Sequence, residues 1–98
     1  MDDALTILVV SDSTGETAQT YLKSITTQFP DLKTRLIRRP DITTKKELDQ
    51  AIAEIPDYSI IVPTIAIEEL ADHVNKKAKE RGIEVLPIFN QGIEVFER

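Results

Sequence analysis

Apolar positions along the chain fall into two kinds of run, and their alternation predicts a repeated strand-helix pattern. Leu5 to Val10 and Tyr58 to Val62 are short, aliphatic and without polar alternation, as expected of central strands covered on both faces. Lys33 to Arg39 mixes Leu36 and Ile37 with Arg35, Arg38 and Arg39, and Ile83 to Phe89 carries Glu84 and Pro87, so both suit sheet edges. Between these runs the spacing turns helical. Ala18, Tyr21, Leu22, Ile25 and Phe29 form one stripe from a helix start near Ala18, and Pro30 stops it. Leu48, Ala51, Ile52 and Ile55 form a second stripe, and Ile67, Leu70, Ala71, Val74 and Ala78 a third.

End signals agree with these stripes. Thr44 and Glu47 have the capping-box spacing; Glu68 and Glu69 open the third helix, Lys79 and Arg81 close it, and Gly82 stands at C′. Pro40 ends the second strand, Pro56-Asp57 marks a turn and Pro63-Thr64 closes the third strand. Gly92 to Arg98 is long enough for about two helical turns, which need docking to be stable.

The predicted architecture is a three-layer α/β domain: a four-stranded parallel sheet in the order 2-1-3-4, with helices on both faces, flavodoxin-like or Rossmann-like. Right-handed crossovers make the sheet parallel, and the two apolar strands take its centre. The connection direction then reverses between strands one and three, opening the crevice where such folds bind ligands. All 98 residues fit one domain.

Composition narrows the function classes. A net charge of −5 with 30% charged residues opposes non-specific binding to nucleic acid or anionic membrane. With no cysteine there is no thiol chemistry and no cysteine-held metal. Met1-Asp2-Asp3-Ala4 lacks the features of a signal peptide and no apolar run reaches membrane-span length, so the expected location is cytoplasmic.

The candidate site is the stretch Ser11, Asp12, Ser13, Thr14, Gly15, Glu16, Thr17, where the first strand gives way to a helix. Hydroxyls, a glycine and free helix N-terminal amides meet there, which suits a phosphate-type anion. Thr64 lines the same crevice, and Arg38 and Arg39 end the neighbouring strand within reach of an anion. A purely structural reading competes: Ser13 and Glu16 also have the capping-box spacing, Gly15 could relieve a tight turn, and Glu16 sets negative charge where a phosphate would sit. Asp12 occupies a common catalytic or metal-binding place, or else makes an Asx turn. His73, the one histidine, reads as a boundary residue of the third helix, and Lys76, Lys77, Lys79 and Arg81 as its solvated face. Neither a dinucleotide fingerprint nor a Walker loop is present. No catalytic residue, metal ligand or cofactor is assigned.

The run Val9-Val10-Ser11-Asp12-Ser13-Thr14-Gly15-Glu16-Thr17-Ala18 resembles the N-terminal signature of the regulatory proteins of pyruvate, phosphate dikinase and phosphoenolpyruvate synthase. Ile37-Arg38-Arg39, Ile60-Ile61-Val62 with Pro63-Thr64, and Glu68-Glu69-Leu70 extend the similarity in order. The resemblance implies a bifunctional serine/threonine kinase and phosphorylase: an ADP-dependent kinase that phosphorylates a threonine of the dikinase or synthase, and a phosphate-dependent activity that reverses it. The nucleotide loop of that family belongs to a C-terminal half that this sequence does not contain. The resemblance therefore implies an N-terminal domain of a longer protein, inactive alone, with the dikinase or synthase as partner. Thr14-Gly15-x-Thr17 is also similar to the FMN-phosphate loop of flavodoxins, although few aromatics are present to sandwich a flavin. A ligand-free interaction scaffold is the third reading.

Overall fold

A computed structural model describes residues 4–86. The elements are β1 (Leu5–Ser11), α1 (Glu16–Thr26), β2 (Thr34–Arg39), α2 (Lys45–Ala53), β3 (Ser59–Thr64), α3 (Glu68–Arg81) and β4 (Glu84–Val85). All pairings are parallel and the order is β2-β1-β3-β4, as expected. The fourth strand is described only at Glu84 and Val85; its expected continuation to Phe89 and the short helix over Gly92 to Arg98 lie outside the described residues.

The apolar character of β1 follows from its place. Alternate residues supply the two cores: Leu8 and Val10 join α2 and α3 on one face, while Ile7 and Val9 meet Ala18 and Leu22 of α1 on the other. Pro63 lies inside β3, opposite Val10, rather than closing the strand. The carbonyl of Ile61 accepts from the Leu86 amide, so odd-numbered residues of β3 turn their peptide groups toward β4. A missing N–H at position 63 therefore costs no bond to β1.

Three helix-end expectations change. The stripe of α1 is narrower than its periodicity suggests: Ala18 and Leu22 are buried, but Tyr21 is 46% and Phe29 55% exposed, because the helix stops at Thr26 and only part of its circumference meets the sheet. Ile67 is the N-cap of α3 and is exposed rather than part of its inner face. Arg81 does not sit on a solvated face; its guanidinium donates to the carbonyls of Ile52 (2.6 Å) and Ile55 (2.9 Å) and to Asp57 Oδ1 (2.9 Å). It thereby supplies a charged donor to carbonyls at the end of α2, of which that of Ile52 also accepts from the Ile55 amide at 3.4 Å.

Other ends match their sequence signals. Thr44 Oγ1 accepts from the Glu47 amide at 3.2 Å, and Glu47 Oε1 accepts from the Thr43 amide and from both threonine hydroxyls at 3.0–3.2 Å. These bonds, the Thr43 amide first, hold the Glu47 carboxyl below the usual glutamate range. Gly82, with φ 67°, ends α3, where Ile83 N donates to Ala78 O and Gly82 N to Lys79 O. His73 Nε2 lies 2.7 Å from Asp49 Oδ1, joining α3 to α2 at the boundary between core and solvent.

Candidate functional site at the carboxyl end of the sheet

Three loops meet at the carboxyl ends of β1, β2 and β3, and hydrogen bonds tie them into one unit. The carbonyls of Ser11 and Ser13 accept from the amides of Ile42 and Asp41, both at 2.8 Å, which fastens the first loop to the one after β2. Asp41 adopts a left-handed conformation (φ 58°) to deliver its amide. On the other side, Asp12 Oδ2 accepts from the Ala66 amide at 2.9 Å, and Ser11 Oγ donates to the Thr64 carbonyl at 3.4 Å. Thr64 Oγ1 lies 3.5 Å from the Val10 carbonyl.

Asp12 is thus a bridge across the point where the sheet order reverses. It makes neither an Asx turn nor a free carboxylate, since its partner lies 54 residues away. Ser11 is the last residue of β1 and only 1% exposed; its hydroxyl also accepts from the Ser13 amide at 3.0 Å, so it shapes the loop from beneath.

The capping box expected of Ser13 and Glu16 is not formed. Gly15, with φ 75° and ψ 8°, is the N-cap residue and has no side chain to cap α1. A serine two residues ahead of the N-cap, behind a left-handed turn, is not placed to reach the N3 amide. Instead Thr14 Oγ1 accepts from the Glu16 amide at 3.3 Å. The amides of Thr14, Gly15 and Thr17 find no acceptor among the described residues. Ser13, Thr14 and Thr17 are exposed around them.

Gly15 is required on two counts. Its positive φ suits glycine, and a Cβ there would lie 3.3 Å from both Val9 Cγ1 and Arg38 Cγ. The stem of Arg38 crosses the loop at this point, and Nη1 donates to Gln19 Oε1 at 3.0 Å. Arg39, one residue on in an extended strand, turns to the opposite face and pairs with Glu54 Oε2 at 2.6 Å. Ser11, Asp12, Ser13, Thr14, Gly15, Thr17, Arg38 and Thr64 therefore share one end of the sheet, and Arg39 faces away from the loop. Gln19, Asp41 and Ala66 complete this neighbourhood. Asp41 carried a readable signal, Pro-Asp directly after a strand.

The arrangement has no set of three histidine, aspartate or glutamate side chains grouped for a metal among the described residues. What it offers is a rigid loop with open amides, three surface hydroxyls and one adjacent guanidinium.

A parallel α/β domain with its signature loop at the reversal point is the class that fold and site define. The profile of the kinase/pyrophosphorylase family matches residues 7–98, and the chain belongs to that family. It is 30% identical over 94 residues to a pyruvate, phosphate dikinase regulatory protein of Lactobacillus helveticus, covering 94% of this chain and 34% of that protein. A protein of the same name from Alkaliphilus metalliredigens is 32% identical over 90 residues, covering 91% and 32%. A phosphoenolpyruvate synthase regulatory protein of Delftia acidovorans is 30% identical over 97 residues, covering 92% and 35%. The chain spans about a third of the length of these relatives.

Proposed function

We propose that this chain is the N-terminal domain of a regulator of pyruvate, phosphate dikinase or phosphoenolpyruvate synthase, working in the cytoplasm and binding rather than transferring a phosphoryl group. The family membership and the names of its relatives support the regulatory role. In this reading the loop from Ser11 to Thr17 holds a phosphate-bearing group, with the Thr14, Gly15 and Thr17 amides and the Ser13 and Thr14 hydroxyls donating and Arg38 assisting. One observation carries it: α1 starts at a glycine, the Glu16 amide is taken by Thr14 Oγ1, and the Thr14, Gly15 and Thr17 amides stay open among the described residues beside a guanidinium. Arg39 belongs to the reading only if it leaves Glu54, and Glu16 opposes it.

Phosphoryl transfer needs phosphate-cradling loops and a metal site, and the sequence holds no such nucleotide motif. The chain alone should be inactive. Incubated with ADP and the dikinase, it should give no phosphothreonine above background, and reproducible protein-dependent phosphorylation would overturn the assignment. The flavin alternative loses support because Tyr58 lies at the amino end of β3, away from the loop.

A further inference from the structure

We infer that the outer edge of β2 takes up an extended acidic segment of a partner protein as an added strand. Among the described residues the sheet ends at β2, and all six residues of that strand pair one-to-one with β1. Because the Leu5 amide donates to the Lys33 carbonyl, odd-numbered residues of this stretch turn their peptide groups toward β1. Thr34, Leu36 and Arg38 therefore turn theirs outward, where no hydrogen bond reaches them among the described residues. The strand holds neither a proline nor a bulge, two of the devices that blunt an edge.

Side-chain charge says what can dock there. Four of the seven residues from Lys33 to Arg39 are cationic and none is acidic, in a chain of net charge −5. All four are exposed, while Leu36 and Ile37 lie half-buried at the rims of the two cores. Two copies paired antiparallel about Leu36 would set Lys33 opposite Arg39 twice, and like charges directly opposite each other are destabilising. The charges that repel a second copy attract a strand of opposite sign. A segment with acidic residues opposite Arg35 and Arg39 on one face and Arg38 on the other, and aliphatic residues opposite Leu36 and Ile37, matches both features. Main-chain bonds then supply affinity and the side-chain pairs supply selectivity. The inference does not depend on the phosphate reading, since it uses the backbone edge of β2 rather than the loop amides.

The test adds the acetylated and amidated peptide Thr-Glu-Val-Val-Glu-Glu to the full 98-residue chain at constant ionic strength and follows amide hydrogen exchange residue by residue. In the free chain the Leu36 and Arg38 amides should exchange at least about tenfold faster than that of Ile37, which faces β1. Peptide should slow both saturably and severalfold. A peptide with lysine in place of each glutamate should not. Two further peptides, N-methylated at odd or at even residues, should differ in effect, because only one set of amides faces β2. Leu36 and Arg38 amides already as slow as Ile37 in the free chain overturn the inference, since the edge would be occupied. So does protection that rises with protein concentration without peptide, which assigns the edge to a second copy, and so do equal effects of the glutamate and lysine peptides or of the two N-methylated ones.

Discussion

Replacing Gly15 by alanine separates the two demands placed on that residue, with Gly82 as the reference. Both glycines have φ near 70°, but a Cβ at Gly82 meets nothing within 4 Å, whereas at Gly15 it meets Val9 Cγ1 and Arg38 Cγ at 3.3 Å. Gly82→Ala therefore reports the left-handed backbone alone, about 1–2 kcal/mol. Gly15→Ala adds crowding. The Arg38 stem is flexible and can retreat, but Val9 is fully buried and cannot move without disturbing β1. An overpacking cost of about 1 kcal/mol brings the total to about 2–3 kcal/mol. Urea unfolding should show that loss, and Tm should fall further than for Gly82→Ala, at about 4–8 °C per kcal/mol for a domain of this size. The reduction in intensity of the Arg38 to Gln19 contact in NMR spectra gives an independent readout of the displaced stem. Equal losses for the two variants would refute the argument that Gly15 is held by close approach as well as by conformation.

Arg81→Met should destabilise the domain by about 2 kcal/mol by removing the charged donor shared by the Ile52 and Ile55 carbonyls, and Arg81→Lys should recover only part of that in urea unfolding. Glu47→Gln should lower Tm more at pH 7 than at pH 3. The carboxyl titrates below its unfolded value, so its contribution is present above the ordinary glutamate range, about 4.3, and is lost as pH falls through the folded value. Equal Tm differences at the two pH values would contradict that. Asp12→Ala should speed hydrogen exchange of the Ala66 amide and cost about 1–2 kcal/mol, because it removes a charge-assisted bond at a partly exposed site.

The sheet order was legible because β1 and β3 need apolar residues on both faces and β2 does not, a contrast visible in Leu8, Val9 and Ile61 against Arg35 and Arg38. Tyr21 and Phe29 misled for a physical reason: helical spacing identifies a stripe, but not how much of it the sheet is wide enough to cover. The Ser13 and Glu16 spacing misled because a left-handed Gly15 moves the helix start, which spacing alone does not encode. The opposite directions of Arg38 and Arg39 were available from strand alternation and separate the two arginines at once. Asp12 to Ala66 and Arg81 to Ile52 join residues far apart in sequence, where no local pattern exists to be read.

The central claim concerns the open amides at the start of α1. Amide chemical shifts should be followed while phosphate is added at constant ionic strength, for the native chain and for Arg38→Gln. Charge-assisted hydrogen bonds contribute about 1.5–3 kcal/mol each before ordering and desolvation, so a few imperfect ones correspond to roughly millimolar affinity. Saturable shifts confined to Ser13, Thr14, Gly15 and Thr17, weakened several-fold in Arg38→Gln, are the predicted result. Loop amides that stay unmoved at tens of millimolar phosphate would contradict it.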